Sequence, residues 1–123
     1  MMNHIEVKTM KADDEFHLCP KFEAAFELLG KRWTGLIIRV LMEGPKRFKD
    51  ISHVIPNMSD KMLTERFKEL EAEGIIVRRV YNEMPVRIEY ELTDKGKALE
   101  GVMRECQQWA DRYVDVPYTE KKS

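Results

Sequence analysis

The 123-residue sequence predicts a mainly α-helical (α+β) fold with one small β-hairpin. Apolar residues recur at helical spacing in five separate segments, and one further segment alternates between apolar and charged residues. The length suits a single domain. No apolar run approaches the roughly 20 residues of a membrane span, and the polar N-terminus lacks the apolar centre of a secretory signal. We therefore expect a cytoplasmic protein with no membrane partner.

Two helices are predicted in the first half of the chain. The first spans Pro20 to Gly30, because proline suits the first turn of a helix and glycine suits its end. The second spans Trp33 to Leu41 and is stopped by Gly44-Pro45, where proline cannot continue a helix. Residues 1–15 show no sustained period, so they are expected to form a mobile arm.

The next two helices are short and closely spaced. A third helix from Phe48 to Ile55 is closed by Pro56-Asn57, and Ser59 can cap a fourth helix that ends near Gly74. Two helices joined by about three or four residues, the second one longer, match the helix-turn-helix pattern. Many helical hairpins share this spacing, so the pattern alone is weakly specific.

The fourth helix has two distinct faces. Leu63, Phe67 and Leu70 lie at i, i+4 and i+7 and therefore face the core together. The opposite face is polar, and its side chains could contact DNA bases or simply solvate a surface helix. The candidate base-contacting residues are Ser59, Lys61, Met62, Thr64, Glu65 and Lys68.

A β-hairpin is predicted directly after the fourth helix. Ile75 to Val80 is rich in β-branched residues, and Val86 to Leu92 alternates apolar and charged residues. Between them, Asn82 favours a turn and Pro85 ends strand pairing. Helix, turn, helix and hairpin in this order predict a winged helix-turn-helix domain, in which the hairpin, or wing, flanks the fourth helix. The order predicts a sequence-specific DNA-binding protein.

The charge distribution gives modest support for DNA binding. The net charge of -1 lacks the basic signature of many nucleic-acid binders. Basic residues nevertheless outnumber acidic ones between Lys46 and Lys68, although an ordinary mixed surface would also explain this. The candidate phosphate contacts, or minor-groove contacts for the two arginines, are Lys46, Lys49, Arg79 and Arg87.

A last amphipathic helix is predicted from about Asp94 to Tyr113, followed by a polar tail at residues 116–123. Its apolar stripe is longer than a small domain readily covers. A second subunit could bury the stripe, and the first two helices of the same chain are the alternative. The expected domain therefore spans residues 16–115.

Several short stretches occur in an order shared with one family. They are Cys19-Pro20, Leu29 to Trp33, Gly44 to Phe48, Ser59 to Leu63, Leu70 to Gly74 and Tyr90 to Gly96. In these stretches the chain resembles the HxlR-type regulators, which are related to MarR, and the resemblance extends from Cys19 to Tyr113. It implies a homodimer formed through the terminal helices, which binds a near-palindromic operator with one recognition helix in each half-site.

Cys19 is the candidate sensor. A thiol at a helix N-terminus, with Lys21 close by and Lys31 or Arg32 as further neighbours, lies where positive potential favours the thiolate that reacts with oxidants and quinone electrophiles. The resemblance to the redox-sensing branch implies that modification of Cys19 releases the operator; position alone also allows an inert buried thiol. The disulfide partner stays open: Cys106 of the other subunit, a small thiol, or none.

Other interpretations are possible. Cys106 within the apolar stripe is expected to pack. A regulator without thiol sensing could bind a small apolar ligand in a pocket lined by Phe26, Trp33 and Trp109, and a winged helix could also serve protein contacts alone. No enzyme, cofactor or metal site is predicted, because the histidines are scattered without a nucleophile and an acid beside them: His4, His17 and His53.

Overall fold

The computed structural model describes residues 15–117, so residues 1–14 of the predicted arm and 118–123 of the predicted tail lie outside the described residues. The elements are α1 (Pro20–Leu29), α2 (Thr34–Leu41), α3 (Phe48–Val54), α4 (Asp60–Ala72), β1 (Ile76–Tyr81), β2 (Arg87–Leu92), α5 (Asp94–Lys97) and α6 (Glu100–Tyr113). No helix in this part of the chain is long and apolar enough to cross a membrane. The predicted mainly α-helical class with one hairpin is confirmed.

The hydrophobic core lies between α2, α3, α4 and the hairpin. Ile37, Ile51 and Leu63 are completely buried, one from each of the three helices. The predicted inner face of α4 is confirmed, since Phe67 and Leu70 are buried with Leu63. This core holds the two helices of the helix-turn-helix unit in one fixed arrangement.

The wing is attached to the helices at two points. The strands pair antiparallel from Ile76 opposite Leu92 to Tyr81 opposite Arg87. The N–H of Lys46 donates to the carbonyl of Tyr90 at 2.9 Å, and the N–H of Tyr90 donates to the carbonyl of Lys46 at 2.8 Å. The Tyr90 ring also stacks on Phe67 of α4, with centroids 4.1 Å apart. The hairpin is therefore fixed relative to α4.

Two helix boundaries differ from the sequence prediction. Trp33 was expected inside the second helix, but it has left-handed backbone with φ 80° and precedes α2. The last helix was expected to be continuous, whereas it divides into α5 and α6. Gly96 of α5 is buried so close to the Ile75 carbonyl that a Cβ would collide with it, and between the two helices the Leu99 N–H donates to the Gly96 carbonyl at 3.0 Å in a tight turn.

The terminal helices α1 and α6 contain no buried residue. Phe22 and Phe26 of α1 and Trp109 and Tyr113 of α6 are each more than half exposed, at 58, 57, 61 and 64%. Helices α1 and α2 of the same chain therefore leave the apolar stripe of α6 largely uncovered. Only its N-terminal end, at Leu99 and Met103, packs against the core.

Candidate DNA interface and thiol site

The N-terminus of α4 is fixed by its cap. The Ser59 hydroxyl oxygen accepts a hydrogen bond from the Met62 N–H at 3.0 Å, as expected for a serine at this position. Ser52 of α3 donates to the Asp60 carboxylate at 3.2 Å and connects the two helices of the motif. The start of α4 is thus held in place by local hydrogen bonds.

The outer face of α4 carries the predicted polar side chains. Lys61, Thr64, Glu65 and Lys68 are all exposed, whereas Met62 is half-buried at the edge of the core. The Thr64 hydroxyl donates to the Asp60 carbonyl at 2.9 Å, so it offers its methyl group and an oxygen lone pair to the outside. The face presents a cation, an anion and a methyl group side by side.

The segment between α2 and α4 adds further basic groups. Lys49 is exposed and Lys46 is half-buried. Arg47, which was not among the DNA contacts predicted from the sequence, is exposed at the start of α3, and its charge helps to lower the pKa of Glu83 in the wing. Its position between Lys46 and Phe48 in a basic stretch was the available signal.

Arg79 and Arg87, the candidate DNA contacts of the wing, are both paired with carboxylates. The Arg79 Nε lies 2.9 Å from the Glu91 carboxylate. The Arg87 guanidinium lies 2.8 Å from Glu83 and 2.7 Å from Glu89, and it stacks 4.0 Å above the Tyr81 ring. These bonds lower the pKa of Glu83 and raise the pKa of Arg87 above its usual value.

Cys19 is exposed and caps the N-terminus of α1 with extended backbone. In a single chain, Cys19 is therefore not the inert buried thiol that its position in the sequence also allowed. The two more distant cations expected beside it have other partners, since Lys31 lies 3.1 Å from the Glu69 carboxylate and Arg32 stacks 4.5 Å above the Trp33 ring. Of the positive groups expected beside Cys19, the N-terminus of α1 and Lys21 remain.

An apolar groove runs between α1, α2 and α6. Its volume is about 470 Å³, and its walls include Phe26, Leu29, Trp33, Met103 and Cys106. Two residues of the predicted ligand pocket, Phe26 and Trp33, do lie together here, but Trp109 does not line the groove. Cys106 is exposed in its wall, so the packing expected for it is not provided by the single chain.

The short α3, the capped α4 and the hairpin fixed against them define a winged helix-turn-helix protein. The chain belongs to the HxlR-like helix-turn-helix family, which matches residues 28–118. This confirms the resemblance seen in the sequence. The matched segment begins after Cys19, so the family match does not include this thiol.

The relatives of the chain are transcriptional regulators. This chain is 58% identical over 98 residues to the HTH-type transcriptional regulator YodB of Bacillus subtilis strain 168. The alignment covers 80% of this chain and 88% of YodB. The reduced form of YodB matches with a TM-score of 0.72 and 57% identity over 80% of this chain and 97% of that one. Its diamide-treated and quinone-bound forms each match with a TM-score of 0.68 and 56% identity, over 82 and 78% of this chain and 100% of theirs.

Proposed function

We propose that this protein is a cytoplasmic, homodimeric transcriptional repressor that releases a near-palindromic operator when Cys19 is oxidised or modified by an electrophile. The observation that carries the proposal is the exposure of Cys19 at the start of α1, a helix whose apolar face is uncovered in one chain. The known diamide-treated and quinone-bound forms of the similar YodB support the same chemistry.

The outer face of α4 would select bases in the major groove. Lys61 can donate to guanine, Glu65 can accept from the cytosine amino group, and Thr64 or the half-buried Met62 can contact a thymine methyl. Ser59 and Lys68 lie at the two ends of this face, and Lys46 and Lys49 would neutralise phosphates. Arg79 and Arg87 can join them only by exchanging carboxylates for phosphate.

A second copy of the chain would cover α1 and α6. The four exposed aromatic residues of these helices form the kind of apolar surface that soluble proteins bury in an interface. In such a dimer the two recognition helices would lie about 34 Å apart, one turn of duplex. A near-palindromic operator follows from the two-fold symmetry.

The proposed signal travels from Cys19 along α1 to α4. A quinone would add to the Cys19 sulfur, forming a carbon–sulfur bond, and the ring would take up the thiol proton and become a hydroquinone adduct. The turn after α1 is tied to α4, since the Arg66 Nε donates to the Arg32 carbonyl at 2.8 Å and Lys31 pairs with Glu69. A displaced α1 would therefore shift α4 and change the spacing of the half-sites.

The test begins with selection of bound fragments from the source genome, with and without diamide or a benzoquinone. We expect wild-type protein to lose the fragments on either treatment, Cys106→Ser to lose them with the benzoquinone, which needs no second thiol, and Cys19→Ser to keep them. Cys106→Ser is the matched control because both thiols are exposed. Treated Cys19→Ser that still dissociates would contradict thiol sensing at this residue.

A second candidate is ligand-responsive regulation without thiol chemistry, which the apolar groove favours. A small apolar effector bound there would raise the melting temperature under reducing conditions. A thermal-shift screen in excess reductant separates this function from thiol sensing. Absence of salt-dependent binding to any duplex would instead indicate a module for protein contacts.

A further inference from the structure

The three arginines of the wing lie on two different faces of the hairpin. Arg79 and Arg87 lie on the outer face, because Arg79 pairs with Glu89 and Arg87 pairs with Tyr81 in the strand register. Arg78 lies on the opposite face, across from Tyr90. Since neighbouring residues of a strand alternate between faces, Arg78 and Arg79 are adjacent in sequence and separated in space.

The outer-face arginines carry no surplus positive charge. Arg79 is matched by Glu91, and Arg87 lies between Glu83 and Glu89. Exposed ion pairs are weak enough to exchange, but the carboxylates would stay within a few ångströms of an incoming phosphate and repel it. These two arginines are therefore suited to bracing the wing rather than to binding the DNA backbone.

Arg78 has a different environment. It is exposed, and it forms no ion pair with any residue of the described part of the chain. Its neighbours on the same hairpin face are all uncharged: Ile76, Val80, Ile88, Tyr90 and Leu92. Its full positive charge is thus available to an external anion.

Arg78 lies on the hairpin face that packs against the recognition helix. Its cross-strand partner Tyr90 stacks on Phe67 of α4 at 4.1 Å, so this hairpin face is the one next to α4. Directly opposite residues have Cβ atoms only about 5 Å apart. Phe67 is on the inner side of α4, so the exposed Arg78 lies at the margin of this contact and not over the outer face of the helix. With α4 in the major groove, the wing that flanks it would lie beside the bordering phosphate backbone, which an exposed and unpaired cation can contact.

We infer that Arg78 is the residue through which the wing binds a DNA phosphate, and that Arg79 and Arg87 hold the wing in shape. The inference rests on the proposed function, since it needs α4 in the major groove. The candidates predicted from the sequence were Arg79 and Arg87, and Arg78 was not among them.

The test measures affinity for a mixed-sequence duplex of about 30 base pairs by fluorescence anisotropy, at potassium chloride concentrations from about 50 to 200 mM. Arg78→Ala is expected to weaken binding and to reduce the salt slope by about one per protomer, or about two per dimer. Arg78→Lys should restore the slope. Arg79→Ala, the adjacent matched control, should keep the wild-type slope, and melting curves check the folding of all three variants.

A wild-type slope in folded Arg78→Ala, or an equal loss of slope in Arg79→Ala, would overturn the inference while leaving the proposed function in place. Wild-type protein that shows no salt-dependent binding to duplex would overturn the proposed function, and this inference with it.

Discussion

The helix-turn-helix unit with its wing and the pair of terminal helices differ in how far one chain completes them. Together with α2, the first region buries twelve apolar side chains, all of them between Ile37 and Leu92. The second region, α1 and α6, is as amphipathic as the first but buries no residue. The DNA-binding unit is therefore folded around its own core, whereas the terminal helices lack a partner surface within one chain.

Burial explains why the terminal helices need that surface. Isolated helices of their length are marginal in water, because most helical stability in proteins comes from packing an apolar face. An aromatic side chain such as Trp109 gains roughly 1.5–3 kcal/mol when it is fully buried. A second copy of the chain would supply the missing partner for both helices at once.

The largest expected effect is loss of the dimer in Trp109→Glu. Burying a carboxylate at the centre of the apolar stripe would make the chain monomeric, as measured by sedimentation or light scattering. Loss of the second half-site should weaken operator binding about 100-fold or more. Val54→Glu on α3, where Val54 is exposed to 52%, is the control that should stay dimeric. A dimeric Trp109→Glu would argue against this interface.

The next largest effect is the difference in free energy of unfolding between shortening a core side chain and shortening one of a terminal helix. Both changes are made in the monomeric Trp109→Glu variant. Leu63→Ala should lower the free energy of unfolding by about 2–5 kcal/mol, since Leu63 is completely buried. Phe22→Ala should change it by less than about 0.5 kcal/mol, as an exposed substitution does. Urea unfolding followed by circular dichroism measures both. Equal losses would show that α1 is already packed in one chain.

Two glycine substitutions should act in opposite directions. Gly96→Ala places a methyl group against the Ile75 carbonyl and should lower stability by about 1–3 kcal/mol. Gly101→Ala meets no atom within 4 Å and should raise stability by up to about 1 kcal/mol, because alanine favours a helix. Thermal unfolding of both variants at one protein concentration makes the comparison. A harmless Gly96→Ala would show that the close approach to the Ile75 carbonyl does not constrain this position.

The smallest effect concerns Glu83 and pH. Arg87 lowers the pKa of Glu83 in the folded state, so the ion pair stabilises the fold above the unfolded-state pKa. That stability disappears as pH falls through the lowered folded-state pKa. Glu83→Gln should therefore melt slightly below wild type at neutral pH and match it in acid. A difference that persists in acid would mean that Glu83 acts through packing instead of charge.

Much of the fold and part of the site could be predicted from local patterns. The spacing of Leu63, Phe67 and Leu70 predicted the buried face of α4, and Ser59 predicted its start, because periodicity and capping act within a few residues. Lys61, Thr64 and Glu65 were predicted to be exposed because they lie on the opposite side of the same helix. The ion pairs of Arg79 and Arg87 could not be predicted, since their carboxylate partners depend on strand register, which sequence spacing alone does not give.

Patterns in the sequence were sufficient to predict the order of helices and strands, the inner and outer faces of α4 and the family to which the chain belongs. The folded chain was needed to show that α5 and α6 are separate, that Cys19 and Cys106 are exposed, and that Arg78, unlike Arg79 and Arg87, has no carboxylate partner among the described residues. The first set depends on neighbours a few residues away, while the second depends on contacts between segments that are distant in the chain.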